Sequence, residues 1–113
     1  MKVIYLAGKY TGDIAANIQT ARNYAIRLWE SGYAVVTPHL NTAHFEKDCL
    51  CDYKDYMEGD LAILERCDEI WMLPNWQDSP GAKLEQQHAL KKGITVCYCD
   101  TNTIPFCLDP GVE

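Results

Sequence analysis

The stretch Asp68-Glu69-Ile70-Trp71-Met72-Leu73-Pro74-Asn75-Trp76-Gln77-Asp78-Ser79-Pro80-Gly81-Ala82-Lys83-Leu84-Glu85 decides how this chain is read. Ile70 to Leu73 is a short apolar run with the length of a buried strand. A polar loop follows. Ser79 and Pro80 then mark the cap and first position of a helix: a serine oxygen satisfies an orphan amide there, and proline's missing N–H is not needed. Glu85 falls about a turn and a half inside that helix, near the C-terminal edge of the strand. In open α/β sheets that edge is where ligands bind. Two readings of Glu85 compete at this point, a group that carries chemistry and an exposed helix carboxylate, and most helix carboxylates are surface groups.

The same alternation continues outward in both directions. Lys2 to Ala7 reads as a strand ended by Gly8, and Gly8 to Asp13 as a turn-rich loop. A helix starts near Asp13 or Asn17, with Ile14, Ile18, Ala21, Ala25, Leu28 and Trp29 recurring at helical steps, and stops at Ser31-Gly32. Tyr33 to Thr37 is a second strand closed by Pro38. The segment from Pro38 to about Asp52 contains His39 and His44 and shows no periodicity. A helix from about Asp52 to Arg66 takes its apolar surface from Tyr53, Tyr56, Met57, Leu61, Ile63 and Leu64. After the helix from Ser79 to Lys92, stopped by Gly93, Ile94 to Tyr98 forms a strand, and Ile104 to Leu108 is a candidate short fifth strand.

Strands alternating with helices of this length imply βαβ units, hence an α/β fold with a parallel sheet of four to five strands covered on both faces, in three layers. The expectation is a single domain over residues 1–113. The loops after the first three strands then converge on one sheet edge, carrying Gly8 to Asp13, His39 to His44, and Asn75 to Gly81. The first of these is neither a Walker A motif nor a G-x-G-x-x-G fingerprint, and it reads equally as a turn or as a phosphate cradle built on Gly8, Lys9 and Tyr10.

Composition narrows the partners. The 113 residues carry a net charge of −6 and show no basic stripe, which excludes a nucleic-acid polymer held through its phosphates. A small nucleotide remains compatible, because a helix N-terminus and hydroxyls hold one phosphate without net positive charge. The opening run Met1 to Ala7 is too short for a secretory signal and no stretch is long enough to span a bilayer, so a cytoplasmic protein with no membrane partner is expected. The six cysteines include Cys49-Leu50-Cys51 and Cys97-Tyr98-Cys99. Structural zinc sites usually use a C-x2-4-C spacing, so these are read as small core thiols, unpaired in a reducing compartment, with no metal and no cofactor expected.

Glu85, Asp60 on the second long helix, and Tyr5 on the first strand are the groups that can meet at the converging edge. A pair of carboxylates flanking an anomeric carbon is what glycoside cleavage through an oxocarbenium-like transition state requires.

Four segments together resemble the nucleoside 2-deoxyribosyltransferase superfamily, which includes 2'-deoxynucleoside 5'-phosphate N-hydrolases. They are Ile4-Tyr5-Leu6-Ala7-Gly8, Asp60-Leu61 with Asp68 eight residues after Asp60, Ser79-x-Gly81-x3-Glu85, and His39 after the second strand. The resemblance implies a Rossmann/flavodoxin-like fold. It implies cleavage or transfer at the N-glycosidic bond of a small nucleoside or nucleotide, with Glu85 as nucleophile, Asp60 at the leaving base and Tyr5 orienting Glu85 or the sugar. It further implies substrate binding by His39, Ser79 and Gly81, and a homo-oligomer. Serine stands at position 79 where the transferases have aspartate and the monophosphate hydrolases have serine.

Lys83 and Leu84 stand where the family usually has Gly and an apolar residue, and Gln86 replaces the common Gly after the glutamate. They keep open a second reading, a catalytically weak nucleotide-binding module on the same fold. A third reading, a cysteine-rich zinc-binding protein, rests on the thiols alone.

Overall fold

Residue parity in two strands sorts the core. In the computed structural model, which describes residues 1–99, Ile4 and Leu6 face one side of the sheet while Tyr5 and Ala7 face the other. On the third strand Trp71 and Leu73 join the first set, and Ile70 and Met72 the second. Successive strand side chains alternate faces, and the runs Ile4–Ala7 and Ile70–Leu73 are apolar throughout because both faces are covered.

The elements are β1 (Val3–Ala7), α1 (Ile14–Glu30), β2 (Ala34–Val36), α2 (Pro38–Asn41), α3 (Tyr53–Leu64), β3 (Glu69–Met72), α4 (Pro80–Lys91) and β4 (Thr95–Tyr98), with single 3-10 turns at Phe45–Lys47 and Trp76–Asp78. The four strands are all parallel, in the order β2-β1-β3-β4. Tyr5 pairs in register with Val36 on one side and Ile70 on the other, which puts it in the middle of the sheet. Ala21, Tyr24, Ala25 and Leu28 of α1 cover one face; Leu64 of α3 with Ala82 and Ala89 of α4 cover the other. This is the three-layer α/β architecture expected, with the strand order of flavodoxin-like folds. The candidate strand at Ile104–Leu108 lies outside the described residues.

The helix boundaries follow their caps. Asp13 accepts the Ala16 amide at 3.1 Å and opens α1; Asp52 and Asp55 form a reciprocal capping box that opens α3. Ser79 caps α4 with Pro80 at its first position, as the sequence indicates. Asp68 is structural: its Oδ2 accepts the Val3 amide at 2.7 Å and pins the start of β1 to the start of β3. The aperiodic segment after β2 contains α2 and a 3-10 turn. Cys97 is disulfide-bonded, against the expectation of unpaired thiols, whereas Cys49, Cys51, Cys67 and Cys99 are free. Among the described residues no helix is long and apolar enough to cross a membrane.

β1 ends at a close approach. A Cβ on Gly8 would sit 2.6 Å from Leu73 Cδ1, 2.8 Å from Leu73 Cβ and 2.9 Å from Asn75 Oδ1. Only a residue without a side chain lets the β1–α1 loop lie against the β3–α4 loop there. Gly8→Ala should therefore overpack this junction by roughly 1–3 kcal/mol, read as a melting temperature about 5–15 °C lower in a domain of this size. An unchanged melting temperature would show that the junction has slack.

Candidate active site

Between β1 and β3 the chain connections diverge, β1 leading outward to β2 and β3 outward to β4. Such a switch point leaves a crevice at the strands' C-terminal ends. Here it opens into a cleft of about 720 Å³. Its walls come from the β1–α1 loop, α2, one face of α3 and the first turns of α4.

Glu85 is at its base. The buried positions of α4 are Ala82, Glu85 and Ala89, one stripe facing the sheet, so the carboxylate occupies a core position between two small residues. It is 6% exposed. Tyr5, fully buried on β1, donates its hydroxyl to Glu85 Oε2. Burial pushes the Glu85 carboxyl up to about 7; the Tyr5 hydrogen bond opposes this and the nearby Asp60 charge adds to it. Burial, then the Glu85 and Asp60 charges, hold Tyr5 well above the usual tyrosine range, so it stays a donor. Asp60, half-buried on α3, is raised by burial to about 6.

Ser79 is buried, in extended backbone, and its Oγ accepts the Ala82 amide at 3.0 Å. That bond uses a lone pair and leaves the hydroxyl proton free for a ligand. A Cβ on Gly81 would come 3.2 Å from Met57 Cε and 3.3 Å from the Tyr53 hydroxyl, so the glycine lets α3 approach the start of α4.

His39, 5% exposed on α2, sets its Nε2 2.8 Å from the Lys9 carbonyl. A carbonyl only accepts, so Nε2 carries the proton, and burial lowers the ring's pKa and keeps it neutral. Nδ1 is then a buried acceptor with no partner among the described residues. Tyr10 packs edge-on against His39 at 6.0 Å, donates to Glu46 at 3.1 Å and receives the His44 amide at 2.9 Å. Two asparagines brace the loop from behind. Asn75 Oδ1 accepts the Lys9 amide at 3.0 Å, and Asn17 Nδ2 donates to the Thr11 carbonyl at 2.9 Å.

With this geometry in view, the comparisons place the chain. Residues 2–98 match a family model described as a domain of unknown function, DUF4406. The chain belongs to this family. No curated protein matches the sequence. The 2-deoxyribosyltransferase of Bacillus psychrosaccharolyticus is similar in structure, with a TM-score of 0.63 at 18% identity over 85% of this chain and 70% of that one. A conserved protein of Enterococcus faecalis V583 gives 0.68 at 22% identity, over 91% and 65%. The CMP N-glycosidase BcmB of Clostridium botulinum gives 0.61 at 18% identity, over 86% and 70%. This chain thus spans 65–70% of the length of these structures and shares their fold.

In this DUF4406 domain the cleft brings together Glu85, Asp60, Gly8, Tyr10, His39, Ser79 and Gly81, with Tyr5 behind Glu85. Lys9 does not join them. Its backbone is used by Asn75 and His39, and its side chain lies along Gly12. Tyr53, Tyr56 and Met57 line the cleft with Asp60, and the sequence reading had placed the first three on an apolar packing surface. The spacing held the signal: 53, 56, 57 and 60 fall on one helix face that ends in a carboxylate. Lys83 is exposed, and Gln86 donates to the Tyr98 hydroxyl at 2.8 Å, so neither faces the cleft. Trp76 turns onto Tyr98, ring centres 5.7 Å apart. Among the described residues no cluster of three or more His, Cys, Asp or Glu is placed to hold a metal.

Because the folded-state pKa of Glu85 (about 7) and of Asp60 (about 6) lie above unfolded carboxyl values, both groups favour folding when protonated. That contribution is complete below about pH 4 and is lost as pH rises through 6 and 7. The wild-type melting temperature should fall over this window. Glu85→Gln, neutral and still able to accept from Tyr5, should match wild type near pH 4 and exceed it at pH 8 by on the order of 2 kcal/mol. Parallel pH profiles for the two proteins would contradict the buried, titrating carboxyl.

Proposed function

We propose that this protein cleaves the N-glycosidic bond of (deoxy)nucleosides or their 5'-monophosphates through a covalent glycosyl intermediate on Glu85. One observation carries the reading: a carboxylate in a core position, held by a buried tyrosine at the base of a cleft of substrate size. A carboxylate kept in a low-dielectric site with no cationic partner among the described residues is costly to maintain, and such groups cluster where chemistry is done. The fold shared with a 2-deoxyribosyltransferase and a CMP N-glycosidase supports the same class of reaction.

In this reading Glu85 attacks C1' while Asp60, on the facing helix, protonates or holds the departing base nitrogen. The C1'–N bond breaks with its electron pair leaving on the base, and Glu85 Oε bonds to C1'. Water or a second base then displaces the carboxylate, giving hydrolysis or transfer with retention at C1'. Tyr5 keeps one Glu85 oxygen engaged and the other free to attack. Ser79 and the first-turn amides of α4 hold the 5' oxygen. His39 Nδ1, an acceptor, fits a sugar hydroxyl rather than a phosphate oxygen. The aromatic ring of Tyr53 or Tyr56 is a surface for the base. The departures at Lys83 and Gln86, which motivated a binding module without turnover, fall outside the cleft and leave it open.

The reactive form has Glu85 ionised and Asp60 protonated; with Glu85 at about 7 and Asp60 at about 6 it is the minor of the two singly protonated forms, and its population peaks between the two values. Base release should therefore follow a bell-shaped pH profile centred between about 6 and 7. Chromatographic assay of nucleosides and their 5'-monophosphates should show release that Glu85→Ala abolishes and Asp60→Asn reduces by about a hundredfold or more, with loss of one limb of the bell. If Glu85→Ala matches wild type, the covalent mechanism is wrong. Ligand-dependent thermal stabilisation with no release from any substrate would instead make this a binding module.

A further inference from the structure

The proposed reaction can take an uncharged nucleoside or a nucleotide, and the charges that line the cleft bear on which of the two fits. Four carboxyl groups line it: Glu46, Asp52, Asp60 and Glu85. Among the described residues no lysine or arginine does. Lys9 extends along Gly12, and His39 is kept neutral by burial with only a lone pair to offer. Residues 100–113 contain Asp100, Asp109 and Glu113 and neither lysine nor arginine, so no cation for the cleft is encoded there either.

A 5'-phosphate carries about −1.5 to −2 charges at neutral pH. Facing it are one serine hydroxyl and the first turn of α4, whose dipole amounts to roughly half a positive charge. Glu46 and Asp52 are exposed groups at the rim, and the glycosidase chemistry uses neither. Each has a local structural bond, Glu46 to the Tyr10 hydroxyl and Asp52 to the Asp55 amide, which fixes its carboxylate at the entrance.

We propose that Glu46 and Asp52 make this cleft select the uncharged nucleoside over its 5'-monophosphate. The inference rests on the glycosidase reading of the site and names the substrate class within it. A like charge at such a rim weakens a phosphate ligand by roughly fivefold to a hundredfold, depending on separation. Ser79 then serves as helix cap and partner of the 5'-hydroxyl, for which one donor and one acceptor suffice.

The test is calorimetric binding of 2'-deoxynucleosides and their 5'-monophosphates to the wild-type protein at low and high salt. The nucleoside is expected to bind at least tenfold tighter at low salt. Screening should narrow the gap as salt rises, because repulsion weakens with ionic strength. The double variant Glu46→Gln/Asp52→Asn keeps both local hydrogen bonds, asparagine being as good a cap as aspartate, and should narrow the ratio by about tenfold or more. A monophosphate that binds as tightly as its nucleoside, or more tightly at low salt than at high, overturns the proposal, as does binding of neither ligand. Base release from the same panel is read separately. Nucleoside-selective binding without release removes the glycosidase and keeps the selectivity, while release that favours monophosphates does the reverse.

Discussion

The hydrogen bond from Tyr5 to Glu85 is the constraint around which the rest of the structure is arranged. A carboxylate in the interior loses its hydration and keeps its place only if something replaces it. Here the replacement is one phenolic hydroxyl from the central strand, so three independent features must agree. The parity of β1 must send Tyr5 to the α4 side while Ile4 and Leu6 face α1. The register of β1 with β3 must hold that ring under the start of α4, which the Asp68–Val3 contact secures. The α4 stripe must offer room on either side of Glu85, which Ala82 and Ala89 provide. A bulkier residue at either alanine would move the helix off the sheet and with it the carboxylate. The site is thus a property of the packed core; Glu69, the other buried carboxylate of the sheet and helices, is paired with Lys2 and Trp71, whereas Glu85 is held by Tyr5 at the base of the cleft.

The cleft above this pair is held by polar tethers between segments that do not pack apolar surface. Asn75 binds the β1–α1 loop from the β3 side, Asn17 binds it from α1, and His39 binds it from α2. Tyr10 carries the connection on to Glu46 and His44. These bonds close loops whose backbone has no ladder partners, which satisfies groups that burial would otherwise leave orphaned. They also fix Gly8, Tyr10 and Thr11 as a wall, a form of preorganisation that loops do not supply alone.

Strands and caps were legible in the sequence because they depend on local rules. The runs Ile4–Ala7 and Ile70–Leu73 are apolar at every position, which is the mark of strands covered on both faces, and Asp13, Asp52 and Ser79 each cap the helix they precede. Topology brought Glu85, Asp60 and Tyr5 to one sheet edge and resemblance to a family gave them roles; on pattern alone the two carboxylates read more readily as surface helix residues. What escaped reading is non-local. Tyr53, Tyr56 and Met57 have the spacing of a packing face, and only the placement of α3 across from α4 leaves that face to line a cleft. The four-residue helix that carries His39 lies in a segment with no period at all, so the residue was named but not its element. Lys9 sits beside residues that line the cleft, and its side chain follows Gly12. The disulfide at Cys97 could not be read from a C-x-C spacing that suits a strand equally well.

Neighbours in sequence and neighbours in a site are different sets, and α4 shows why. Lys83, Leu84 and Gln86 surround Glu85 in the chain, and Lys83 and Gln86 stand where the resemblance leads one to expect glycine. Helical geometry rotates each by about 100° per residue, so residues one and two positions away lie on other faces. Leu84 is 46% exposed, Lys83 is in solvent, and Gln86 ties α4 to β4 through Tyr98. The residues that share Glu85's environment are Ala82 one turn before it, Tyr5 on another element and Asp60 on a third. A substitution pattern at positions 83, 84 and 86 therefore reports on the outer surface of the helix and its packing to β4. The charge of the cleft, by contrast, comes from Glu46, Asp52 and Asp60 together with Glu85 itself, and the first three stand 25 to 39 residues before it in the chain.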